Sequence, residues 1–417
     1  MDDTPETRSP LAPLGWAFYL ACSWTWCIGM FLPVLLIRDF GAWGYVVFAV
    51  PNVLGAAAMG WVLRSREQAR RLAHTHREAV ALFSVVTIAF HAYWLAWAAM
   101  WIRGVVLLPQ TAWLGIVVGA IALVIVLGVL LRRGPVRAPA AIIWLISIGV
   151  LISALAAPAD AIAPATSHFV QARAGAPGAD VLWLAPVCLF GFALCPYLDG
   201  TFLLARVRTS AAGARAAFTL GFGVLFAAMI ALTFVYAGLF ASMTDHDPAT
   251  VPQIAPWLGA LLVAHLLAQA IFTVEVHHER LDKGAQSTAP PRANALLMPL
   301  VIVAVLAGLF QNMLPMVGDM FPGEVIYRVF MSAYGLLFPA YVWICMIPTR
   351  DGHAGITGVR GRAKLIALAI AVVVAAPAYW VGFIVGHDMW LGAGLGVVLL
   401  ARLPVMLTRG PTEPSPA

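Results

Sequence analysis

Long apolar runs separated by short polar ones dominate the chain. Residues 9–37 contain no Asp, Glu, Lys or Arg, and neither do 40–63, 104–131, 138–159, 216–244, 248–274, 293–318, 329–349 and 365–387. Each run exceeds the roughly 20 apolar residues with which an α-helix crosses a hydrocarbon core. Three further stretches are apolar with an interruption: 78–102 carries His91, 181–205 carries Asp199, and 389–407 carries Arg402 and Pro404. The pattern predicts an all-α polytopic membrane protein of about twelve transmembrane helices. They are spans 1 to 12 in chain order: 12–37, 41–64, 78–102, 110–131, 138–157, 181–205, 214–242, 254–276, 294–314, 325–347, 364–386 and 389–407.

Composition agrees with this reading. Of 417 residues, 62% are hydrophobic and 11% charged, whereas a soluble domain carries about 25% charged residues. The net charge of +6 therefore concerns orientation in a bilayer, not nucleic acid. With the N-terminus in the cytoplasm, Lys and Arg divide 21 to 4, the minority being Arg38, Arg103, Arg173 and Arg328. The split predicts cytoplasmic termini and an integral protein of the cell's inner (cytoplasmic) membrane. The run RSREQARRLAHTHRE at 64–78 is its strongest cytoplasmic marker and reads as a solvated helix extension. The acidic start MDDTPETRSP lacks the basic region of a cleaved signal, so span 1 is expected to persist after an 11-residue tail. Residues 408–417 read as a disordered tail. All five cysteines lie in apolar segments, which predicts no disulfide framework.

Two spans depart from plain lipid-facing helices. Span 6 carries Gly191, Cys195, Pro196, Tyr197, Asp199 and Thr201; span 1 carries Trp24, Thr25, Trp26, Cys27, Gly29 and Pro33. Proline removes a helix donor, and freed backbone groups at membrane depth are tolerated only against protein or a water-filled cavity. Asp199 has two readings. A carboxylate near a helix N-terminus is stabilised by the helix dipole; an intramembrane carboxylate also marks a cation, proton or amine site. Spans 1 and 6 each open a group of five helices, and five being odd, the second group enters the membrane from the opposite side. Interrupted helices at matching positions of inverted halves point to a transporter binding site at the midplane.

In this plan of five plus five plus two, the chain resembles the LeuT-type, amino acid–polyamine–cation superfamily. The resemblance implies a first repeat over 12–157, a second, inverted repeat over 181–347 and two appended helices over 364–407. It implies that spans 1 and 6 unwind near 24–29 and 191–196, with Pro196 opening a new half-helix, Cys195 capping it and Asp199 in its first turn. The expected function is secondary active transport of a small organic solute or cation by alternating access. Trp24, Thr25, Trp26, Cys27, Gly29, Gly191, Cys195, Tyr197, Asp199 and Thr201 are the candidate substrate-binding residues. Asp199, His265, Gln269 and His91 are the candidates for ion or proton coupling. His265 and Gln269 are spaced i, i+4 and share a helix face. The alternative for His91 is a neutral ring bonded to a neighbouring helix's carbonyl. Span 8 lacks the paired hydroxyls of sodium-coupled members and span 5 lacks the lysine of many proton-coupled ones, which leaves the driving ion open.

Other classes have less behind them. GxxxxGK[ST], HExxH and GxSxG are all missing, so neither an ATP-driven pump nor a membrane hydrolase is expected. No enzyme activity, cofactor or metal site is expected; a non-transporting sensor on a transporter-like fold, or a channel, stands as the alternative.

Overall fold

The computed structural model describes residues 11–105, 137–156, 180–244, 256–285, 291–348, 356 and 358–407. Among them the regular elements are helices, with one isolated bridge between Val317 and Met320. Ten helices are long and apolar enough to cross a bilayer. The pair α1 (Ala12–Trp24) and α2 (Cys27–Phe40), joined at a 57° bend, is long and apolar enough for an eleventh if counted as one span. There follow α3 (Ala42–Val62), α4 (Arg66–Thr75), α5 (Arg77–Val105) and α6 (Arg137–Leu155). Span 6 becomes α7 (Val181–Leu194), a tight turn at Cys195–Leu198, and α8 (Gly200–Arg208). The remainder is α9 (Ala211–Ile230), α10 (Thr233–Ala241), α11 (Pro256–Ala285), α12 (Leu297–Phe310), α13 (Pro322–Met346), α14 (Gly358–Phe383), α15 (Met389–Leu400) and α16 (Arg402–Leu407). Span 4 at 110–131, the segment 157–179 with Arg173, and both chain tails lie outside the described residues.

Burial sorts these helices. In α5, 72% of the most apolar stretch is buried, against 17% in the crossing 292–313 that contains α12. So α5 is a central strut, while α12 turns Ile302, Val303 and Leu306 outward, as a helix does whose solvent is lipid. Close backbone approach fixes α7 between two neighbours. A Cβ on Gly55 of α3 would stand 2.3 Å from Phe192 O, and one on Gly191 would stand 3.0 Å from Tyr334 O of α13. Small residues at such crossings let membrane helices pack by van der Waals contact where lipid supplies no hydrophobic drive.

The basic run at 64–78 differs from its expectation. Arg64, Glu67, Arg70 and Arg71 are exposed as expected, but the run is a separate helix, α4, and not an extension of a span; it is capped by Ser65, whose hydroxyl accepts from Gln68 N–H. It packs on α8. Arg66 Nε donates to Thr209 O at 3.0 Å, and buried Arg206 donates to Leu63 O at 2.5 Å and Arg64 O at 2.7 Å. Those carbonyls are the orphan acceptors at a helix end, which accounts for a buried guanidinium with no carboxylate beside it.

Candidate functional site: two broken helices and a cavity

Span 1 breaks because its own side chains close the last turn of α1. Thr25 Oγ1 donates back to Ala21 O at 2.9 Å, and the Trp26 indole N–H donates to Ser23 O. Trp26 is then extended (φ −85°, ψ 175°), and α2 starts at Cys27. A helix start at membrane depth leaves N–H groups needing partners. His91 of α5 serves one: its Nε2 accepts from Cys27 N–H at 3.2 Å, while Nδ1 sits 2.8 Å from Thr87 O of its own helix. That pair of contacts fixes the neutral tautomer with hydrogen on Nδ1. Both ring nitrogens are thereby engaged, and the carbonyl partner belongs to α5 itself, not to a neighbouring helix. Tyr327 OH donates to Cys27 O at 3.1 Å, so α13 also holds the break.

Span 6 breaks after Leu194, within the expected 191–196, but its second half-helix starts four residues later than expected. Pro196 lies inside the turn Cys195–Leu198, and the new half-helix begins at Gly200. Asp199 is its N-cap, extended at φ −76°, ψ 111°, with Oδ1 accepting from Thr201 N–H and Thr201 Oγ1–H, both at 2.7 Å. Aspartate provides the acceptor that an N-cap requires and that cysteine lacks. Cys195 instead donates its thiol to Tyr334 O at 3.2 Å. The two breaks meet: Thr201 Oγ1 lies 3.1 Å from Ser23 Oγ, and the Phe202 and Trp24 rings are 4.9 Å apart. Asp199 is fully buried, and its second oxygen, Oδ2, has no hydrogen-bond partner among the described residues.

Beside the breaks is a cavity enclosing about 940 Å³, its open mouth included. Its inner end is formed by Trp24, Trp26, Gly29, Gly191, Cys195 and Tyr334; α2, α7 and α13 make its walls. Five of the ten substrate-binding candidates therefore line it: Trp24, Trp26, Gly29, Gly191 and Cys195. Thr25, Cys27, Asp199 and Thr201 are buried outside it, and Tyr197 is half-buried outside it. Asn52 accepts from the Trp24 indole N–H at 2.6 Å and holds that ring in the wall. At the mouth stand Phe40, Arg328, Phe383 and Asp388. Asp388, in the turn between α14 and α15, is pushed up to about 7, mainly by burial and further by Asp180, with Arg328 pulling the other way.

A second polar cluster joins α1, α6, α9 and α11. Ser147 Oγ donates to Ile143 O at 3.0 Å. It receives Gln269 Nε2 at 2.9 Å and lies 2.8 Å from His265 Nδ1. Gln269 Nε2 also approaches Met229 Sδ at 3.2 Å. The other atoms of the pair, His265 Nε2 and Gln269 Oε1, have no partner among the described residues. Within α11, buried His277 packs edge-on to Trp26, its ring 5.6 Å away, with Nδ1 3.0 Å from Ser84 Oγ. It lies one residue past the bounds expected for span 8, 254–276, and was not among the candidate residues.

At the cavity mouth four charges form a network that sequence reasoning missed. Arg38 makes a two-pronged pair with Glu324 at 2.7 and 2.8 Å and also bonds Asp39 at 2.8 Å. Arg328 bonds Glu324 at 2.8 Å, Asp39 at 2.6 Å and Phe383 O at 2.9 Å. The available signal was the i, i+4 spacing of Glu324 and Arg328 beside the adjacent pair Arg38–Asp39. Among the described residues, no group of three or more His, Cys, Asp or Glu is arranged to hold a metal ion. No protein-family model matches the sequence, and no curated protein matches it.

Proposed function

We propose that the chain is a secondary active transporter of a small organic solute or cation, built on the LeuT-type plan. The carrying observation is the meeting of two interrupted helices, at Thr25–Trp26 and Cys195–Asp199, next to a cavity and a buried carboxylate with one bare oxygen. Transporters use such interruptions to present free backbone and helix ends to substrate and ion. The packing supports two interlocked halves. α3 against α7 is matched by α9 against α1, α6 against α11 by α13 against α5, and α1 against α6 by α7 against α13. Each pairing exchanges spans five apart in the chain. Under the Lys and Arg split, the cavity opens outward and the termini are cytoplasmic.

In this reading Asp199 is the coupling carboxylate. A bare carboxylate oxygen in a site closed to water favours a proton or a cation over standing empty. The His265–Gln269 pair, with two further bare acceptors, is the second coupling candidate. The test begins with a ligand-stabilisation screen on purified protein, followed by uptake of the stabilising compound into proteoliposomes under a sodium or proton gradient. Asp199→Asn keeps an acceptor for Thr201 and removes the charge. It is expected to abolish gradient-driven uptake while the protein stays folded; unchanged uptake would reduce Asp199 to a helix cap and overturn its role.

A further inference from the structure

The charges lining the cavity narrow the class of substrate. Among the described residues, only Arg328 and Asp388 line it with charged side chains. Arg328 is committed: Nε goes to Glu324, Nη1 to Phe383 O and Nη2 to Asp39. The four-charge network to which it belongs balances two cations against two anions. Asp388 is the remainder. It is half-buried, its side chain caps no helix, and no described residue bonds its carboxylate. The charged groups facing it are Asp180 before α7, Arg328 of α13 and Asp39 of α2. With Arg328 neutralised by its partners, the described residues of the mouth leave Asp180 and Asp388 as an excess of acidic groups.

The rest of the lining is apolar and aromatic, and several of its polar atoms are already taken. Trp24 Nε1 goes to Asn52, Trp26 Nε1 to Ser23 O, Cys195 Sγ to Tyr334 O, and Tyr334 OH lies 2.9 Å from Thr87 Oγ1. Among the described residues, an anionic ligand would find no free cation here. A ligand with several hydroxyls would lose water without equal return. A cation with an apolar body meets both a carboxylate and ring faces, which attract positive charge.

We propose that the cavity selects an organic ammonium compound, its apolar or aromatic body against the apolar wall below the mouth, where Leu32, Met331 and Phe383 line the cavity, and its charged end toward Asp388. This rests on the transport reading and names the substrate class of the same cavity. Asp199 takes no part in holding this ligand, since it does not line the cavity. Burial holds Asp388 protonated for part of the time near neutrality, so the bound ammonium and the proton compete. Ammonium affinity rises as pH climbs through about 7 and the carboxylate ionises.

The experiment compares three probes of similar size on purified full-length protein: phenethylamine, 3-phenylpropan-1-ol and 3-phenylpropionate. Thermal stabilisation gives their apparent affinities between pH 5.5 and 8.5. The amine is expected to bind best and to tighten with pH. Asp388→Asn is expected to weaken it by roughly 2–5-fold, the worth of a half-exposed ion pair, and to flatten its pH profile. Asp388→Glu should restore both, and the alcohol should be indifferent to either change. Equal binding of amine and alcohol, amine binding that survives Asp388→Asn, or no binding by any probe overturns the proposal. An amine that binds through Asp388 but is never taken up into proteoliposomes leaves this inference standing and contradicts transport. An amine that is taken up independently of Asp388 does the reverse.

Discussion

Two sets of buried charge in this protein are treated differently. At the cavity mouth, Arg38, Asp39, Glu324 and Arg328 bind one another in a closed ring of hydrogen bonds, with the Glu324 side chain 4% exposed. At the meeting of the broken helices, Asp199 has one oxygen fully occupied by Thr201 and the other bare. Desolvating a charge is costly unless partners replace the water. The mouth network meets that condition with protein groups alone, and so it joins α2, α13 and the end of α14 as a latch. The Asp199 site does not meet it, and a proton or cation supplies what is missing.

The contrast is breakable by mutation, and the largest effect belongs to the latch. Glu324→Ala leaves two guanidinium groups sharing the Asp39 carboxylate and is expected to cost about 3 kcal/mol, toward the lower end for a broken buried pair because Asp39 remains and Arg38 retains some water. The readout is thermal unfolding in detergent. Next comes the crossing of α3 and α7: Gly55→Ala drives a methyl into Phe192 O and should cost about 1–3 kcal/mol. Gly149→Ala, whose Cβ meets nothing within 4 Å, is the matched control and should leave stability unchanged or slightly raised. His91→Ala strips the acceptor from Cys27 N–H and is expected to cost about 1–2 kcal/mol, a buried donor left unmade; His91→Gln, which can still accept, should recover part of it. The smallest stability effect is expected at Asp199→Asn, under about 1 kcal/mol, because asparagine caps helices as well as aspartate does. A change as large as that of Glu324→Ala would mean that Asp199 is a latch too.

Among the described residues, the places of the long apolar helices were legible because a bilayer imposes one strong rule, some 20 apolar residues per crossing. Of the residues conspicuous against that rule, Pro196 marks the interruption of span 6, while Gly29 and Pro33 lie inside α2 and Gly191 inside α7; span 1 breaks at Thr25–Trp26 instead. The cap of α8 was not legible. Choosing Asp199 over Cys195 depends on which residue leaves the turn in an extended conformation, and Pro196 could begin a tight turn as readily as an α-helix. The role of His91 as acceptor for a broken helix was likewise out of reach, because Cys27 lies 64 residues away in the chain. The latch escaped because its members sit at span ends, where a charge looks solvated until four of them are brought together by folding. The cavity took from the sequence reading its aromatic floor, Trp24 and Trp26, and added Tyr334 from α13, a tyrosine in an otherwise ordinary apolar run.

Alternating access around the two breaks is tested most directly by thiol labelling from each side of the membrane. In a cysteine-free background and vesicles of known orientation, one cysteine replaces Leu32 on the cavity wall and another, in a separate protein, replaces Ser23 beyond the floor. An impermeant reagent on the cavity's side should modify the Leu32→Cys protein and spare the Ser23→Cys protein. Under a gradient that drives turnover, the Ser23→Cys protein should become reactive from the opposite side as reactivity at Leu32→Cys falls. Reaction of both positions from one side at once would indicate a channel. Reactivities that never change with the gradient would contradict alternating access.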